Sequence, residues 1–489
     1  MIRFVPRGLT AHRAVLLALV ALTACAFLVA ATDDEFGYLP ADLFKSLVTV
    51  IVVFATVSFA GAAIVQVPPN SDSWLITALI LFFVMPVATD SATWKTAAIG
   101  AAAAAASKYV LVWRRRLIFN PVVVGAIVCY ALMYADIGGL MFISWWVAAE
   151  PLLVPMLVIG ALLVIVLRIW ELVGVFLAAS VITLLIAGQF TAVPDAGMWL
   201  KSTPVLFLGT IMLPEPLTSP PTRITTLIYG ALVGVLLHSQ LTFEVSSAYE
   251  FSFDPEIALA FGCLFAFAVR LSSGTARRIP LSATTEPSAT GTYVVAAEPT
   301  GDAPMFVPGQ WATLSAPSWS MPVWHSSRRV FSFSSVPGAD SAEFSFTTGP
   351  HPSPFKARLI SDQKAAFIDN QGGDFVVKPA DFATDRIVLI ASGIGITPYI
   401  SMLRTWLAAG TDLSPVVLVH MVGDDSRRVY RDVLAAAAVR GARVEIIENP
   451  DASPQAIDRI VDLSHELAAA GPPPRYYISG VPGFVSATR

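Results

Sequence analysis

The sequence predicts a polytopic α-helical membrane domain of about ten helices, followed by an antiparallel β-barrel and an α/β domain. The 489-residue chain is 55% hydrophobic and only 13% charged, which is too apolar for an ordinary soluble protein. Its charged residues are unevenly placed, with 28 in residues 1–270 and 38 in the shorter remainder. From about residue 280 the pattern changes to short alternating strands separated by turn residues. These observations predict domains at 1–275, 276–380 and 381–489.

The first domain contains ten apolar segments, most of which approach the length that a helix needs to cross a bilayer. They are residues 14–32, 43–65, 74–89, 95–113, 122–142, 151–167, 172–190, 204–214, 224–240 and 256–271. The eighth is short, which predicts a broken helix buried among its neighbours. Alternating spans place the flanking arginines on one side and most acidic residues on the other. This pattern predicts a multi-pass protein of the cell (inner) membrane with both termini cytoplasmic.

Two segments of this domain resemble each other, "FVMPVATDSATWKTAAIGA" (83–101) and "IMLPEPLTSPPTRITTLIYGA" (211–231). Each joins an apolar helix end to a proline, a Ser/Thr-rich break and a new helix. They lie five spans apart and therefore in opposite orientations. This predicts an inverted duplication of five helices, with the broken segments lining the functional site. The alternative is a chance similarity between two loops rich in proline and threonine.

The segments "RRRLIFNPVVVGA" (114–126) and "LGTIMLPEPLTSPPTRITTLIYGALVGVLL" (208–237) carry a family resemblance. The domain resembles the D subunit of the Rnf complex and the B subunit of the sodium-pumping NADH:quinone oxidoreductase. The resemblance implies ten helices and flavin-based electron transfer across a membrane. Those subunits carry FMN on the threonine of a Ser-Gly-Ala-Thr motif, which this chain lacks. An FMN or other flavin held without a covalent bond is the remaining expectation.

The stretch "RRVFSFSS" (328–335) places an arginine, an aromatic ring and serines on a predicted strand. Arg329 offers a planar fork of donors that suits a pyrophosphate, and Phe331 offers a face to a planar ring. Together with Ser332 and Ser335 they form Arg-x-aromatic-Ser-x-x-Ser. This motif resembles the flavin signature of the ferredoxin–NADP reductase superfamily, which usually has tyrosine where Phe331 stands. The resemblance implies that all four residues bind FAD and that Ser332 reaches the reactive nitrogen of the flavin.

Two glycine- and proline-containing segments extend the resemblance toward the cofactor phosphates. "GPHPSPFKARLI" (349–360) resembles the family's pyrophosphate-binding loop and helix start. "SGIGITP" (392–398) follows a predicted strand and opens a helix, so its backbone can approach a dinucleotide. The cofactor-binding residues implied by these two segments are Ser353, Phe355, Lys356, Gly393, Gly395, Thr397 and Pro398.

A third segment, "YYISGVPG" (476–483), stands where the family has Cys-Gly-x-Pro against the nicotinamide. Gly480 and Pro482 match that motif, and Ser479 replaces the cysteine. The resemblance implies that Ser479 orients the nicotinamide, so Ser332 and Ser479 are the predicted catalytic residues. Only "FVSATR" follows, whereas the family continues through a helix and a last strand. Either the sequence is truncated or something else covers the flavin.

The choice between NADH and NADPH stays open in the sequence. After the strand at 416–422, Asp424 or Asp425 would suit a ribose 2′-hydroxyl. Arg427 or Arg428 would suit a 2′-phosphate. The two signals conflict.

Several cofactors and ligands are excluded by composition. Three cysteines are too few for an iron–sulfur cluster. The net charge of −4 does not indicate binding to nucleic acid. Two stacked haems need four axial histidines, but only His12 and His238 belong to the first domain. No metal site is predicted.

Three functions remain open. The first is a membrane oxidoreductase that passes electrons from cytoplasmic NAD(P)H through FAD and a membrane flavin to an extracytoplasmic acceptor, such as a flavin-carrying protein. The second is an NAD(P)H:quinone reductase that delivers electrons to quinone within the membrane. The third is a transporter or channel with a regulatory nucleotide-binding tail.

Overall fold

The computed structural model describes most of the chain, and it divides into two compact units that meet in sequence at Arg278. The first unit is helical and the second is built on two β-sheets. The described residues are 11–66, 71–114, 116–189, 193–239, 241–246, 249–275, 278–289, 291–301, 303–316, 328–361, 364–383, 385–423, 429–448, 454–469 and 474–488.

A helix of the first unit lies over each of the ten apolar segments predicted from the sequence. The helices are α1 (Ala11–Thr32), α2 (Pro40–Ile64), α3 (Ser71–Val84), α4 (Ser91–Val110), α5 (Pro121–Tyr134), α6 (Leu153–Leu167), α7 (Trp170–Ile186), α8 (Val193–Ser202), α9 (Val205–Phe207), α10 (Arg223–His238) and α11 (Pro255–Ser272). The amphipathic α8 is an additional helix. Two short hairpins join neighbouring helices. One pairs β1 (Val112–Trp113) with β2 (Arg116–Leu117), and the other pairs β3 (Phe243–Ser246) with β4 (Tyr249–Phe251).

Four of the described helical segments are long and apolar enough to cross a membrane, as judged by length and composition. They are Ala11–Thr32, Pro40–Ile64, Glu150–Leu167 and Pro255–Ser272. Shorter apolar helices cover Trp74–Val84, Pro121–Tyr134, Trp170–Ile186 and Arg223–His238. A domain of ten membrane-spanning helices therefore stays a prediction.

The eighth apolar segment is irregular, as the sequence predicts. The single turn α9 continues into a π-helix, Leu208–Met212, whose five residues are all buried. Pro214 then ends the helical path, because proline lacks the amide that the next turn would need. A π-helix leaves the backbone locally widened, and such segments often lie at functional sites.

The first five predicted spans and the last five pack in the same order. Helix α2 packs on α4 as α7 packs on α10, and α4 packs on α5 as α10 packs on α11. Glycines permit equivalent close contacts: a Cβ added to Gly125 would lie 2.5 Å from the Gly100 carbonyl oxygen, and one added to Gly262 would lie 2.6 Å from Val233. This correspondence is what a duplicated five-helix unit would produce.

The second unit opens with a curled antiparallel sheet of six strands in the order β8-β7-β10-β5-β6-β9. The strands are β5 (Ile279–Ala289), β6 (Thr292–Pro299), β7 (Trp311–Ser315), β8 (Arg328–Ser332), β9 (Ala342–Thr347) and β10 (Lys364–Gly372). The two edges approach each other at an antiparallel bridge between Phe333 and Phe344, which closes the sheet toward a barrel. Helix α12 (Pro354–Ser361) covers one end of its phenylalanine-rich core.

A four-stranded parallel sheet in the order β13-β12-β11-β14 follows. Its elements are β11 (Ile387–Ser392), α13 (Thr397–Ala408), β12 (Val416–Val422), α14 (Arg431–Val439), β13 (Arg443–Glu448), α15 (Pro454–Ala469), β14 (Arg475–Ser479) and α16 (Pro482–Ala487). Strand β11 is buried on both faces: Leu389 packs with α13, whereas Ile390 packs with residues of α15. Such burial explains why β11 and β12 are continuous apolar runs.

Candidate functional site

The strand that carries the predicted flavin motif, β8, pairs with β7 and alternates in burial. Val330 is 62% exposed, whereas Phe331 is 8% exposed and Phe333 is fully buried. Arg329 is half-buried, its Nη1 donates to the Arg328 carbonyl at 2.7 Å, and its guanidinium carbon lies 5.9 Å from the Phe355 ring centre. Its charge is therefore held above the start of α12.

Phe331, the aromatic residue of the motif, is buried among other aromatic rings. Its ring is surrounded by those of Phe344, Phe346 and Phe355, with centroid distances of 6.4, 6.0 and 6.0 Å. Strand alternation places Phe331 on the same side as the buried Phe333, and that side faces the barrel core. Phe331 therefore belongs to the barrel core, and its predicted stacking on a flavin stays a prediction.

The start of α12 gathers positive charge near Arg329. The Ser353 carbonyl accepts the Ala357 amide at 2.8 Å, while Phe355 is fully buried in the barrel core and anchors the helix. Lys356 Nζ donates to the Thr347 carbonyl at 2.6 Å. Burial and the charge of Arg329 lower the pKa of Lys356. Two cations and a helix N-terminus together suit a pyrophosphate.

The neighbouring arginine has a different role that the sequence did not show. Arg328 Nε lies 2.8 Å and Arg278 Nε lies 2.5 Å from the two carboxylate oxygens of the buried Asp369. Ser315 donates to the same carboxylate at 2.9 Å. Burial raises the pKa of Asp369, but the two arginine charges outweigh burial and hold the pKa below its usual value. This cluster ties strands β7, β8 and β10 to Arg278, the residue that precedes β5.

The two serines of the motif differ in availability. Ser332, the last residue of β8, is half-buried, and its hydroxyl has no hydrogen-bond partner in the described part of the chain. Ser335 is 6% exposed; its hydroxyl accepts the Glu343 amide at 3.1 Å, and its carbonyl accepts the Ser401 hydroxyl at 2.8 Å. Ser335 therefore links β9 to α13, and its predicted contact with the cofactor stays a prediction.

The predicted nucleotide loop lies at the carboxyl end of the parallel sheet, where such sheets bind ligands. Gly393 has a φ of +54°, and a Cβ on Gly395 would lie 2.7 Å from both Gly480 Cα and the Ser479 carbonyl oxygen. The two glycine segments therefore touch, because β11 and β14 are neighbours with Ala391 opposite Ser479.

The helix that follows this loop begins at Thr397, whose hydroxyl donates to the Ile394 carbonyl at 2.6 Å. Thr397 and Pro398 are both buried and fix the start of α13. Pro482 occupies the start of α16, but its side chain lies outside the described residues.

Sequence reasoning missed His420 as part of this site. His420 lies in β12, is 3% exposed, and its Nε2 is 3.0 Å from the Gly393 carbonyl oxygen. Because a carbonyl only accepts, Nε2 carries the hydrogen. Burial lowers the pKa of His420, and the hydrogen bond opposes that shift. The available signal was a lone histidine inside the apolar run "VVLVHMV".

A polar network fixes the barrel against the parallel-sheet layer. Glu343 accepts from Arg404 at 2.7 Å, from Ser334 at 2.8 Å and from Tyr430 at 3.2 Å. Tyr430 also shares a short hydrogen bond with Ser345, and burial raises its pKa to about 12. The flavin motif and the nucleotide loop are therefore held in one arrangement.

The four residues that would separate NADH from NADPH, Asp424, Asp425, Arg427 and Arg428, lie outside the described residues.

The helical unit contains a cavity of about 200 Å³ between the starts of α1 and α5, the body of α3, and the Pro-Glu-Pro segment. Its lining is mostly apolar, with His12, Thr77, Asn120 and Glu215 as polar groups. Asn120 Nδ2 donates to Glu215 at 2.8 Å. The buried Arg116 and Arg270 donate to carbonyl oxygens of residues 216–219. Freed backbone groups of a broken helix are thereby satisfied inside the protein.

The described residues contain no group of three or more His, Cys, Asp or Glu side chains that could hold a metal ion.

Comparison with known proteins gives partial matches. No family model matches the chain. A flavohemoprotein of Deinococcus radiodurans is 28% identical over 137 residues, which are 28% of this chain and 32% of that protein. The chain therefore matches about a third of the length of this curated relative.

Two solved structures align with less than half of the chain. A ferredoxin–NADP⁺ reductase from Neisseria gonorrhoeae, with bound FAD and NADP, is 21% identical, covers 43% of this chain and 87% of its own, and has a TM-score of 0.35. The FAD/NAD-binding domain of a nitric oxide dioxygenase from Vibrio cholerae is 15% identical, covers 42% of this chain and 98% of its own, and has a TM-score of 0.32.

The similarity to the flavohemoprotein is in line with the predicted ferredoxin–NADP reductase-like FAD/NAD-binding domain. No family model matches the predicted Rnf-like membrane domain, which stays a prediction.

Proposed function

We propose that this chain is an FAD-dependent NAD(P)H oxidoreductase of the cell membrane. The observation that carries the proposal is the arrangement within the second unit. A cationic cluster of Arg329, Lys356 and the start of α12 lies on the barrel, and two touching glycine segments lie at the end of the parallel sheet. The first suits the pyrophosphate of FAD and the second suits a dinucleotide that donates hydride.

Each group in this arrangement has a defined task. Arg329 and Lys356 hold the pyrophosphate by charge, and the first amides of α12 add hydrogen-bond donors. Ser332, with its available hydroxyl, donates to the ring system, while Ser479 lines the nicotinamide side beside Gly480. Phe331, buried in the core, packs against Phe355, and Arg329 lies over the Phe355 ring. Bound FAD would supply a hydride acceptor that can release single electrons.

The helical unit is the membrane part of the proposed enzyme. Its ten helices over the apolar segments, their repeated packing order and the buried π-helix support an inverted five-helix repeat. The bilayer core is about 30 Å thick, too far for one tunnelling step, so a second redox group within this unit is required. A non-covalent FMN or another flavin is proposed, with an extracytoplasmic flavin-carrying protein as acceptor and with both termini cytoplasmic.

A second candidate is an NAD(P)H:quinone reductase. The observation that favours it is the mostly apolar cavity of about 200 Å³ in the helical unit, whose polar groups are His12, Thr77, Asn120 and Glu215. A quinone ring needs an apolar slot with a few hydrogen-bonding groups, which this cavity provides.

Flavin analysis of the full-length protein in detergent tests these proposals. Two flavins per chain are expected for the transmembrane conduit, and one flavin with quinone-dependent NAD(P)H oxidation supports the quinone reductase. Protein that binds no flavin and does not oxidise NADH or NADPH after addition of FAD would overturn both. The remaining candidate function would then be the third one, a transporter or channel with a regulatory nucleotide-binding tail.

A further inference from the structure

One carboxylate oxygen of Glu343 joins three elements of the second unit. Glu343 lies in β9 and is partly buried. Its Oε1 accepts the Ser334 hydroxyl at 2.8 Å and the Tyr430 hydroxyl at 3.2 Å. The same oxygen accepts Arg404 Nη1 at 2.7 Å. The donors come from the segment after β8, from the start of α14 and from α13, so a single atom fixes the spacing of these elements.

The segment after β8 belongs to the predicted flavin motif. Ser334 is fully buried and lies two residues after Ser332, which is proposed to donate to the flavin ring. The Ser334 amide donates to the Glu343 carbonyl at 2.8 Å. The Glu343 amide donates to the Ser335 hydroxyl at 3.1 Å. The backbone and the side chain of Glu343 therefore fix the place where β8 ends, and with it the position of Ser332.

Helix α13 carries the same restraint to the nucleotide loop. Arg404 Nη1 also donates to the Ser334 carbonyl at 2.9 Å. The Ser401 hydroxyl donates to the Ser335 carbonyl at 2.8 Å. These two donors lie one and two turns after Thr397, where α13 begins at the end of the loop. The loop is therefore separated from the Glu343 network by only about 10 Å of regular helix.

We propose that Glu343 is a positioning residue for hydride transfer from NAD(P)H to the flavin. The proposal rests on the proposed function, because it requires both ligands in the second unit. In this step NAD(P)H loses one hydrogen with two electrons and FAD gains both, while the network neither donates nor accepts a proton. Such a step requires the two reacting rings at contact distance, and a displacement of about 1 Å can slow it by about 100-fold. Glu343 acts by holding the flavin motif and the nucleotide loop at a fixed separation.

Hydrogen–deuterium exchange of the full-length protein tests the coupling without added nucleotide. In Glu343→Ala, amides of both the segment after β8 and the nucleotide loop (393–396) should exchange faster than in the wild type, because the shared acceptor is gone. Glu298→Ala, which removes an exposed glutamate from β6 of the same barrel, is the matched control and should leave both segments unchanged. Faster exchange confined to β9, with an unchanged loop, overturns the coupling.

Stopped-flow reduction of the FAD-loaded protein by saturating NADH or NADPH distinguishes positioning from binding. The limiting rate constant of flavin reduction should fall about 10- to 100-fold in Glu343→Ala. The dissociation constants for FAD and for the reduced nucleotide should stay at their wild-type values. Glu343→Gln, which keeps an acceptor oxygen at the same place, should recover much of the rate. A wild-type limiting rate in E343A contradicts the proposal.

Failure of this proposal and failure of the proposed function give different results. Wild-type protein that binds no FAD contradicts the proposed function, whereas wild type and E343A reduced at the same rate contradict only the role of Glu343. If E343A does not fold, Tyr430→Phe takes its place. This change removes one donor and keeps the ring, whose centre lies 5.2 Å from the guanidinium carbon of Arg404. The limiting rate should then fall about fivefold, and an unchanged rate in Y430F overturns the proposal.

Discussion

The Nε2 atom of His420 lies 3.0 Å from the carbonyl oxygen of Gly393, so a buried strand residue fixes the backbone of the predicted nucleotide loop. The bond joins β12 to the turn that follows β11, next to Gly395 and Ser479. A loop that must meet a dinucleotide through its backbone depends on such a restraint, because glycines alone leave it free to move.

Replacing His420 by leucine should therefore raise KM for NAD(P)H more than it lowers kcat. A neutral hydrogen bond contributes about 1 kcal/mol, which corresponds to roughly a fivefold change in KM. Steady-state kinetics with ferricyanide as acceptor measures both constants. His420→Asn, which retains an N–H donor, should lose less. An unchanged KM in the leucine variant would show that the loop keeps its conformation without this hydrogen bond.

The same histidine predicts a pH dependence of stability. Because the pKa of His420 is lowered in the folded protein, the unfolded chain binds more protons below pH ~6.5. The free energy of unfolding should then fall as the pH drops below this value, and less steeply in His420→Asn. Thermal unfolding followed between pH 7.5 and about 5.5 compares the two proteins. An equal dependence of thermal stability on pH in the wild type and His420→Asn would contradict a lowered pKa of His420.

Arg329 and Lys356 should control FAD affinity. Arg329→Ala and Lys356→Ala are each expected to weaken FAD binding by about 1.5–3 kcal/mol, because each removes a charged hydrogen-bond donor to the pyrophosphate. FAD fluorescence titration of the deflavinated protein measures the dissociation constant. Arg431→Ala, which removes an exposed arginine from α14, is the matched control. Equal affinities in all three variants would place the pyrophosphate elsewhere.

Gly395→Ala should abolish oxidation of NAD(P)H while leaving FAD bound. The added Cβ would lie 2.7 Å from two backbone atoms of the facing glycine segment, which cannot move aside as a flexible side chain would. Gly483→Ala is the control, since no atom lies within 4 Å of its added Cβ. Stopped-flow reduction by NADH, with flavin absorbance as the signal, compares the rate of flavin reduction in the two variants. Normal reduction in G395A would contradict the close contact.

Asp369→Asn should destabilise the second unit strongly, by about 3–5 kcal/mol, because two partly buried arginine side chains lose their buried counter-ion. Denaturant unfolding followed by flavin release measures this change. The pKa of Asp369 is held low, so wild type should lose this stabilisation only as the pH falls through that low value. Asp462→Asn, an exposed change in α15, should be nearly neutral. A comparably stable D369N would mean that the cluster is dispensable.

The sequence alone determined the pattern of elements. Apolar runs located the helices of the first unit, and alternation located strands such as β6, β7 and β9. The segment "SGIGITP" predicted a turn after a strand and before a helix, and the structure has that turn at Gly393–Ile396. These features are local, because hydrophobic period and glycine conformation act within a few residues.

Only the tertiary structure decided what individual side chains do. Alternation shows that Phe331 and Phe333 share a face, but not that the barrel closes over it. Of two adjacent arginines, Arg328 is bound by an aspartate 41 residues away, while Arg329 remains over α12. The buried Glu256 accepts a hydrogen bond from the indole N–H of Trp145, which is 111 residues distant in the sequence. Burial and pairing depend on such distant partners, so they arise only when the chain has folded.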